Sequence, residues 1–241
     1  MVFFLVLVAG FGCGTPSPAL DAQRLLSAFV SYTDLRISSV QRSVRILAST
    51  SEAKSGDWEK MKDLLAGYQE TEEGLIVWYV HPDGTYYTVD KGLMDVTLSD
   101  RSYFPDLMAS KVVTGEVVVS KSTAQRSAII AAPVKNGDVV VGAVGASLFL
   151  DKLSEEINTM LALGPDASFF ALAPNALTAL HRHTDRHFLD PRDLGSESLK
   201  AAVERMLSDT SGEVTYEFDN RMKRATYHTS PLTQWRFAIA M

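Results

Sequence analysis

Residues Asp100 to Leu150 read DRSYFPDLMASKVVTGEVVVSKSTAQRSAIIAAPVKNGDVVVGAVGASLFL, and the fold turns on how this stretch is read. Asp100-Arg101-Ser102-Tyr103-Phe104 opens a short helix running to Ser110. A strand follows at Gly115 to Ser120, another at Arg126 to Val134, then an Asn136-Gly137-Asp138 turn and a long apolar strand from Val139. An arginine and two aromatics at the mouth of a short helix, followed by three strands, make a small pocket with a cationic floor and a covering sheet. That layout suits a receptor better than an enzyme.

Upstream, Gly74 to Val80 reads as a strand, His81-Pro82-Asp83-Gly84 as a turn, and Thr85 to Val89 as a second strand. With the three later strands this makes a five-stranded antiparallel sheet, and Asp90 to Ser110 crosses one of its faces. Asp151 to Met160 is a connecting helix, after which the order restarts. Strands at Ala167 to Ala173 and Leu177 to His181 precede a helix at Ser196 to Leu207. Three strands then follow, around Val214 to Phe218, Lys223 to Thr229 and Gln234 to Ala240. The reading is an α+β chain with two like modules, 55–160 and 161–241.

Before the first module, Leu26, Val30, Thr33, Ile37, Val40, Val44 and Leu47 recur at steps of four and three, with no Gly or Pro from Ala22 to Ala48. A helix of that length spans about 40 Å, more than one small domain is wide. It is expected as a spine, 19–54, beside both modules. Three sustained heptads also permit a coiled-coil homodimer through this helix.

Composition narrows the function classes. The 241 residues carry a formal net charge of −6, which leaves no basic footprint for nucleic acid. Met1 to Gly12 is almost wholly apolar, and twelve helical residues rise about 18 Å against roughly 30 Å of hydrocarbon. The segment is expected to be a signal-peptide core. The single cysteine, Cys13, closes that core and is followed by a proline-rich tether to Pro18. This resembles a bacterial lipoprotein cleavage site, which implies lipidation at Cys13 and an extracytoplasmic, membrane-anchored protein. From Ala19 onward no apolar run approaches the length of a membrane helix, so the chain as given carries no exit helix.

Asp100, Arg101, Tyr103 and Phe104, then Ala131-Ala132-Pro133-Val134, then Val141-Gly142-Ala143-Val144-Gly145-Ala146, together resemble the membrane-distal half of the double Cache sensors. Ser230 to Phe237 is similar to the last-strand signature of the membrane-proximal module. The resemblance implies a long N-terminal helix beside two PAS-like Cache modules, each an antiparallel sheet of about five strands with flanking helices. It also implies small-molecule sensing for signal transduction or chemotaxis, through a separate sensor kinase or chemoreceptor. A ligand-free interaction module acting on such a sensor is the alternative.

Arg101 is the first candidate ligand residue, since its guanidinium fork can pair both oxygens of a carboxylate, helped by free N–H groups at the helix start. The competing reading pairs it on the surface with Asp100 or Asp106. Tyr103 and Phe104 would be walls, Ser120, Ser122 and Ser147 hydrogen-bonding groups, and Lys121 or Arg126 a second cation. In the amino-acid-binding members of the family, the resemblance implies, an aspartate on the last strand holds the ligand's ammonium; here Ser147 stands in its place, and no tyrosine stands near Val96. An ammonium without that counter-charge is costly to bury. The expected ligand is therefore a small organic acid or other polar metabolite, not a free amino acid.

One other cluster could carry chemistry: His181, His183, Asp185 and His187 share a face if this segment is a strand, as weak metal candidates with Arg182 and Arg186 among them. A solvated loop is the simpler reading. The sequence holds no G-x-S-x-G elbow and no phosphate-binding glycine loop. Neither enzyme activity nor a cofactor is expected.

Overall fold

The computed structural model describes residues 18–241, with side-chain surroundings from Asp21 onward. The expected signal core 1–12 and the Cys13 lipidation site lie outside the described residues. The helical stripe produces α1 (Pro18–Ser49). Leu26, Phe29, Thr33, Ile37, Val40, Val44 and Leu47 are its buried face, with Phe29 taking the fully buried place that spacing gave to the half-buried Val30. Thr33 lies inside this apolar stripe at little cost, because its hydroxyl donates to the Phe29 carbonyl at 3.0 Å. The spine stops short of residue 54: the Thr50 side chain accepts from the Ala53 N–H and starts a separate turn, α2 (Ser51–Lys54). Asp57 then caps α3 (Trp58–Glu70).

The first sheet contains β1 (Leu75–Val80), β2 (Thr85–Thr88), β3 (Gly92–Thr97), then, after α4 (Phe104–Met108), β4 (Val113–Val119), β5 (Arg126–Asn136) and β6 (Val139–Phe149). Its order is β3-β2-β1-β6-β5-β4, every neighbour antiparallel. Six strands stand where five were expected. The extra one, β3, is short and mostly exposed at the sheet edge, so burial imposes little alternation on its sequence.

Helix α5 (Leu150–Leu161) leads into the second sheet: β7 (Ser168–Leu172), β8 (Thr178–His181), α6 (Glu197–Ser208), β9 (Ser211–Phe218), β10 (Arg221–Thr229) and β11 (Arg236–Ala240). The order β8-β7-β11-β10-β9 repeats β2-β1-β6-β5-β4 of the first sheet.

Each sheet is buried on two faces. The inner faces pack on α1 in one continuous core, where Phe29 meets Phe169 and Phe237 edge-on at 5.1 and 4.8 Å. The outer faces are covered separately. In the first module Trp78, Tyr86, Tyr103, Phe104 and Leu107 close over β1, β5 and β6; in the second, α6 covers Phe170, Leu172, Val214 and Tyr216.

Polar contacts tie the modules to the spine and to each other. The Ser230 hydroxyl donates to the Asp34 carboxylate at 2.7 Å. The Trp235 indole N–H donates across the junction to the Gly115 carbonyl at 3.0 Å. Gly115 is the bulge between Thr114 and Glu116 in the β4–β5 ladder, with φ 81°.

Candidate functional site

Arg101 sits between the exposed edge and the outer core of the first module. Its backbone N–H bonds the Leu98 carbonyl, and its guanidinium Nη2 donates to the Val119 carbonyl at 2.7 Å. Neither expected carboxylate takes it: Asp100 pairs with Lys121, and Asp106 with Lys111 at 2.8 Å. The Nε of Arg101 is buried without a partner, and so is the Tyr86 hydroxyl. These two orphaned groups are neighbours. Burial pushes the Tyr86 hydroxyl up, while the Arg101 charge beside it pulls it partly back. The Tyr103 hydroxyl is pushed up more strongly, again by burial and again against the Arg101 charge.

Ser120 and Ser122 bond each other at 3.1 Å in the same buried corner, and Lys91 reaches the Ser122 carbonyl. Lys121 closes the rim by donating to the Thr97 carbonyl at 2.7 Å. The structure thus brings together Arg101, Tyr103, Ser120, Lys121 and Ser122, and adds Tyr86 and Lys91. Tyr86 was legible only as a strand residue; its packing against the crossing segment was not.

The three other expected site residues are engaged in protein contacts of their own. Phe104 packs in the outer core. Ser147 is buried and accepts the Trp78 indole N–H at 3.1 Å, so its hydroxyl is already engaged. Arg126 points to the module junction, where it pairs with Asp151 at 2.9 Å. The helix-start donors also fall away as a feature: α4 has five residues, and the Phe104 N–H is spent on the Arg101 carbonyl.

Asp151 connects Arg126 to the histidine segment. Its second oxygen takes the His187 Nδ1–H at 2.6 Å. His187 Nε2 accepts both the His181 backbone N–H at 3.1 Å and the Ser154 hydroxyl at 3.0 Å. Burial pushes His187 below its usual range despite Asp151. Burial alone would raise Asp151, yet Arg126 and His187 together hold it below the ordinary carboxylate value. Ser154, His187 and Asp151 have the spacing of an acyl-transfer triad. That chemistry is closed to them, because Ser154 is 1% exposed and the His187 lone pair is already shared.

The shared face expected for His181, His183, Asp185 and His187 does not form. The strand ends at His181 and Thr184–Arg186 makes a tight turn, which breaks the alternation. His187 is consumed at the junction, His181 Nδ1 accepts the His183 N–H at 2.8 Å, and among the described residues no three metal-type side chains converge.

No family model matches the chain. It is 25% identical over 188 residues to the methyl-accepting chemotaxis protein McpB of Bacillus subtilis, a match covering 76% of this chain and 27% of that protein. The chain therefore spans about a quarter of the curated relative. Among solved structures it superimposes on the extracellular domain of the putative histidine kinase rpHK1S-Z16 with a TM-score of 0.77, at 16% identity, over 92% of this chain and 93% of that one. The sensory domain of the Campylobacter jejuni chemoreceptor Tlp3, solved with isoleucine bound, matches with a TM-score of 0.68, at 13% identity, over 93% and 92%. With its spine helix beside two like antiparallel sheets, the chain shares the Cache-like α+β fold of these extracellular sensory domains.

Proposed function

We propose that the chain is an extracytoplasmic sensor domain that binds a small organic acid in its distal module, residues 55–160, and passes that event to a chemoreceptor or sensor kinase. The observation that carries this reading is the buried pair of unpartnered groups, Arg101 Nε and the Tyr86 hydroxyl, beside the Ser120 and Ser122 hydroxyls. Buried polar atoms are almost always satisfied, and an acceptor delivered by a ligand satisfies both. Tlp3 was solved with isoleucine. Here Ser147, capped by Trp78, supplies no carboxylate for an ammonium group, which favours an acid without one.

The test is a thermal-shift and calorimetric screen of small mono- and dicarboxylates against the full chain, repeated on Arg101→Ala. Loss of the charge-assisted bonds costs about 2–5 kcal/mol, roughly thirty- to several-thousand-fold in affinity. Arg101→Lys recovers part of that, since a point charge lacks the two-pronged fork. A folded Arg101→Ala that binds the same acid as tightly as wild type sinks the assignment.

Two further parts of the reading rest on narrower observations. Leu35 and Ile46, 63% and 66% exposed, stand eleven residues apart on α1, within about 20° of each other around the helix. This supports a homodimer through α1. Lipid anchoring at Cys13 rests on the sequence alone, and membrane fractionation of Cys13→Ser tests it. No helix among the described residues is long and apolar enough to cross a membrane.

A further inference from the structure

The outer face of the second module holds a cleft that the distal reading does not use. Phe170 on β7, His181 at the end of β8, Leu199 on α6, and Tyr216 and Phe218 on β9 form its walls, with Arg186 from the 184–186 turn at its mouth. A neighbouring hollow shares Phe170, His181, Arg186, Tyr216 and Phe218 and extends them toward Lys223. The cleft occupies the place in this module that Trp78 and Tyr86 fill in the first.

Its polar groups are nearly all donors. His181 Nδ1 accepts the His183 N–H, so the ring proton sits on Nε2, which has no protein partner among the described residues. The ring is kept neutral by burial and by the Arg186 charge. The Tyr216 hydroxyl has no hydrogen-bond partner among the described residues either, and burial pushes it up to about 12, against the pull of Arg186. Arg186 lies over the Phe218 ring at 4.7 Å. Its one carboxylate contact is a long 3.4 Å approach to the mostly exposed Asp219. The other nearby acid, Asp166, is paired with Arg221 at 3.2 Å, and its carbonyl takes Lys223.

We propose that this cleft is a second ligand site, in the proximal module, for a small carboxylate with a flat apolar body, of which an aryl acid is the simplest case. Aromatic walls take the ring face-on or edge-on. Arg186, the His181 Nε2–H and the Tyr216 hydroxyl together supply the donors a carboxylate needs, and no unpaired acid opposes it. An amine would meet Arg186 with no free counter-charge. The site is wired to the junction, because the His181 backbone N–H is held by His187, and His187 through Asp151 by Arg126 on β5.

Benzoate, benzamide and benzylamine are titrated into the full chain, with binding followed by saturation-transfer NMR and by the His181 ring resonances. Benzoate should bind and shift the His181 signal, benzamide should bind more weakly, and benzylamine should not bind. Arg186→Gln should weaken benzoate by about tenfold or more, and Tyr216→Phe by a smaller factor. The His181 ring lies in this cleft and not in the first module, so its shift reports this site alone and separates it from any benzoate taken up at the distal one. The proposal is overturned if wild type binds no benzoate up to about 10 mM, or if bound benzoate leaves His181 unmoved. It is equally overturned if folded Arg186→Gln binds as tightly as wild type. The His181 readout needs no variant, so the result stands even if Arg186→Gln does not fold.

Discussion

The Trp235 indole N–H and the Gly115 carbonyl, 120 residues apart in sequence, meet at 3.0 Å inside the module junction. The contact needs both partners in unusual states. Trp235 is fully buried just before β11, and Gly115 is a bulge with positive φ whose missing Cβ leaves room for Thr233 and the indole.

Replacing Trp235 by Phe should therefore cost about 1–3 kcal/mol, because the Gly115 carbonyl is left buried without its donor. Gly115→Ala should also destabilise, since an added Cβ would stand 3.1 Å from Thr233 on a backbone with φ 81°. Denaturant unfolding checks both. In the double variant the losses should fall short of their sum, as expected for groups sharing one contact.

Trp78 faces Gly145 across the β1–β6 ladder and lies over it to reach Ser147. A Cβ at position 145 would fall 2.2 Å from the indole ring. Gly145→Ala should cost about 1–3 kcal/mol by overpacking, and Trp78→Phe in the same chain should recover part of it. If the first module binds a simple organic acid beside Ser147, Ser147→Asp should weaken that binding by adding like charge. Unfolding curves and calorimetry measure these effects.

Acid should destabilise the protein through the histidine segment. Burial lowers His181 to about 3 in the folded state, with Arg186 adding to the effect, and His187 is lowered by burial too. Above the unfolded value of about 6.5 both forms are neutral and add no pH dependence. Between about 6.5 and about 3 the unfolded chain takes up protons that the folded chain refuses, so stability falls as the pH falls. Asp151, held low by its partners, loses its contribution in the same direction as it protonates. His181→Asn should flatten the slope of unfolding free energy against pH between about 6.5 and about 4. An unchanged slope would contradict the burial argument.

If Leu35 and Ile46 form a dimer seam, Leu35→Glu with Ile46→Glu should shift the sedimenting species to a monomer without lowering the unfolding midpoint. Both side chains are outside the core, so a large stability loss would point to a different use of this face.

Much of the architecture was legible along the chain, because helical and strand periodicities are local consequences of which face is buried. Leu26, Ile37, Val40 and Val44 announced the spine, and the repeated order of strand pair, crossing segment and three strands announced two modules. Strand β3 escaped because an exposed edge imposes no alternation. The choice of partners belonged to the tertiary structure. Sequence chemistry allowed Arg101, Arg126 and Ser147 to converge on one ligand; packing left Arg101 with an unpaired Nε, sent Arg126 to Asp151 and covered Ser147 with Trp78. The same holds for the histidines, whose expected shared face ended where the 184–186 turn drew His187 onto Asp151 and left His181 in the cleft of the second module. Residue type sets what a side chain can bond, but which of several candidates it meets depends on contacts between segments far apart in sequence, and those exist only once the sheets have closed on α1.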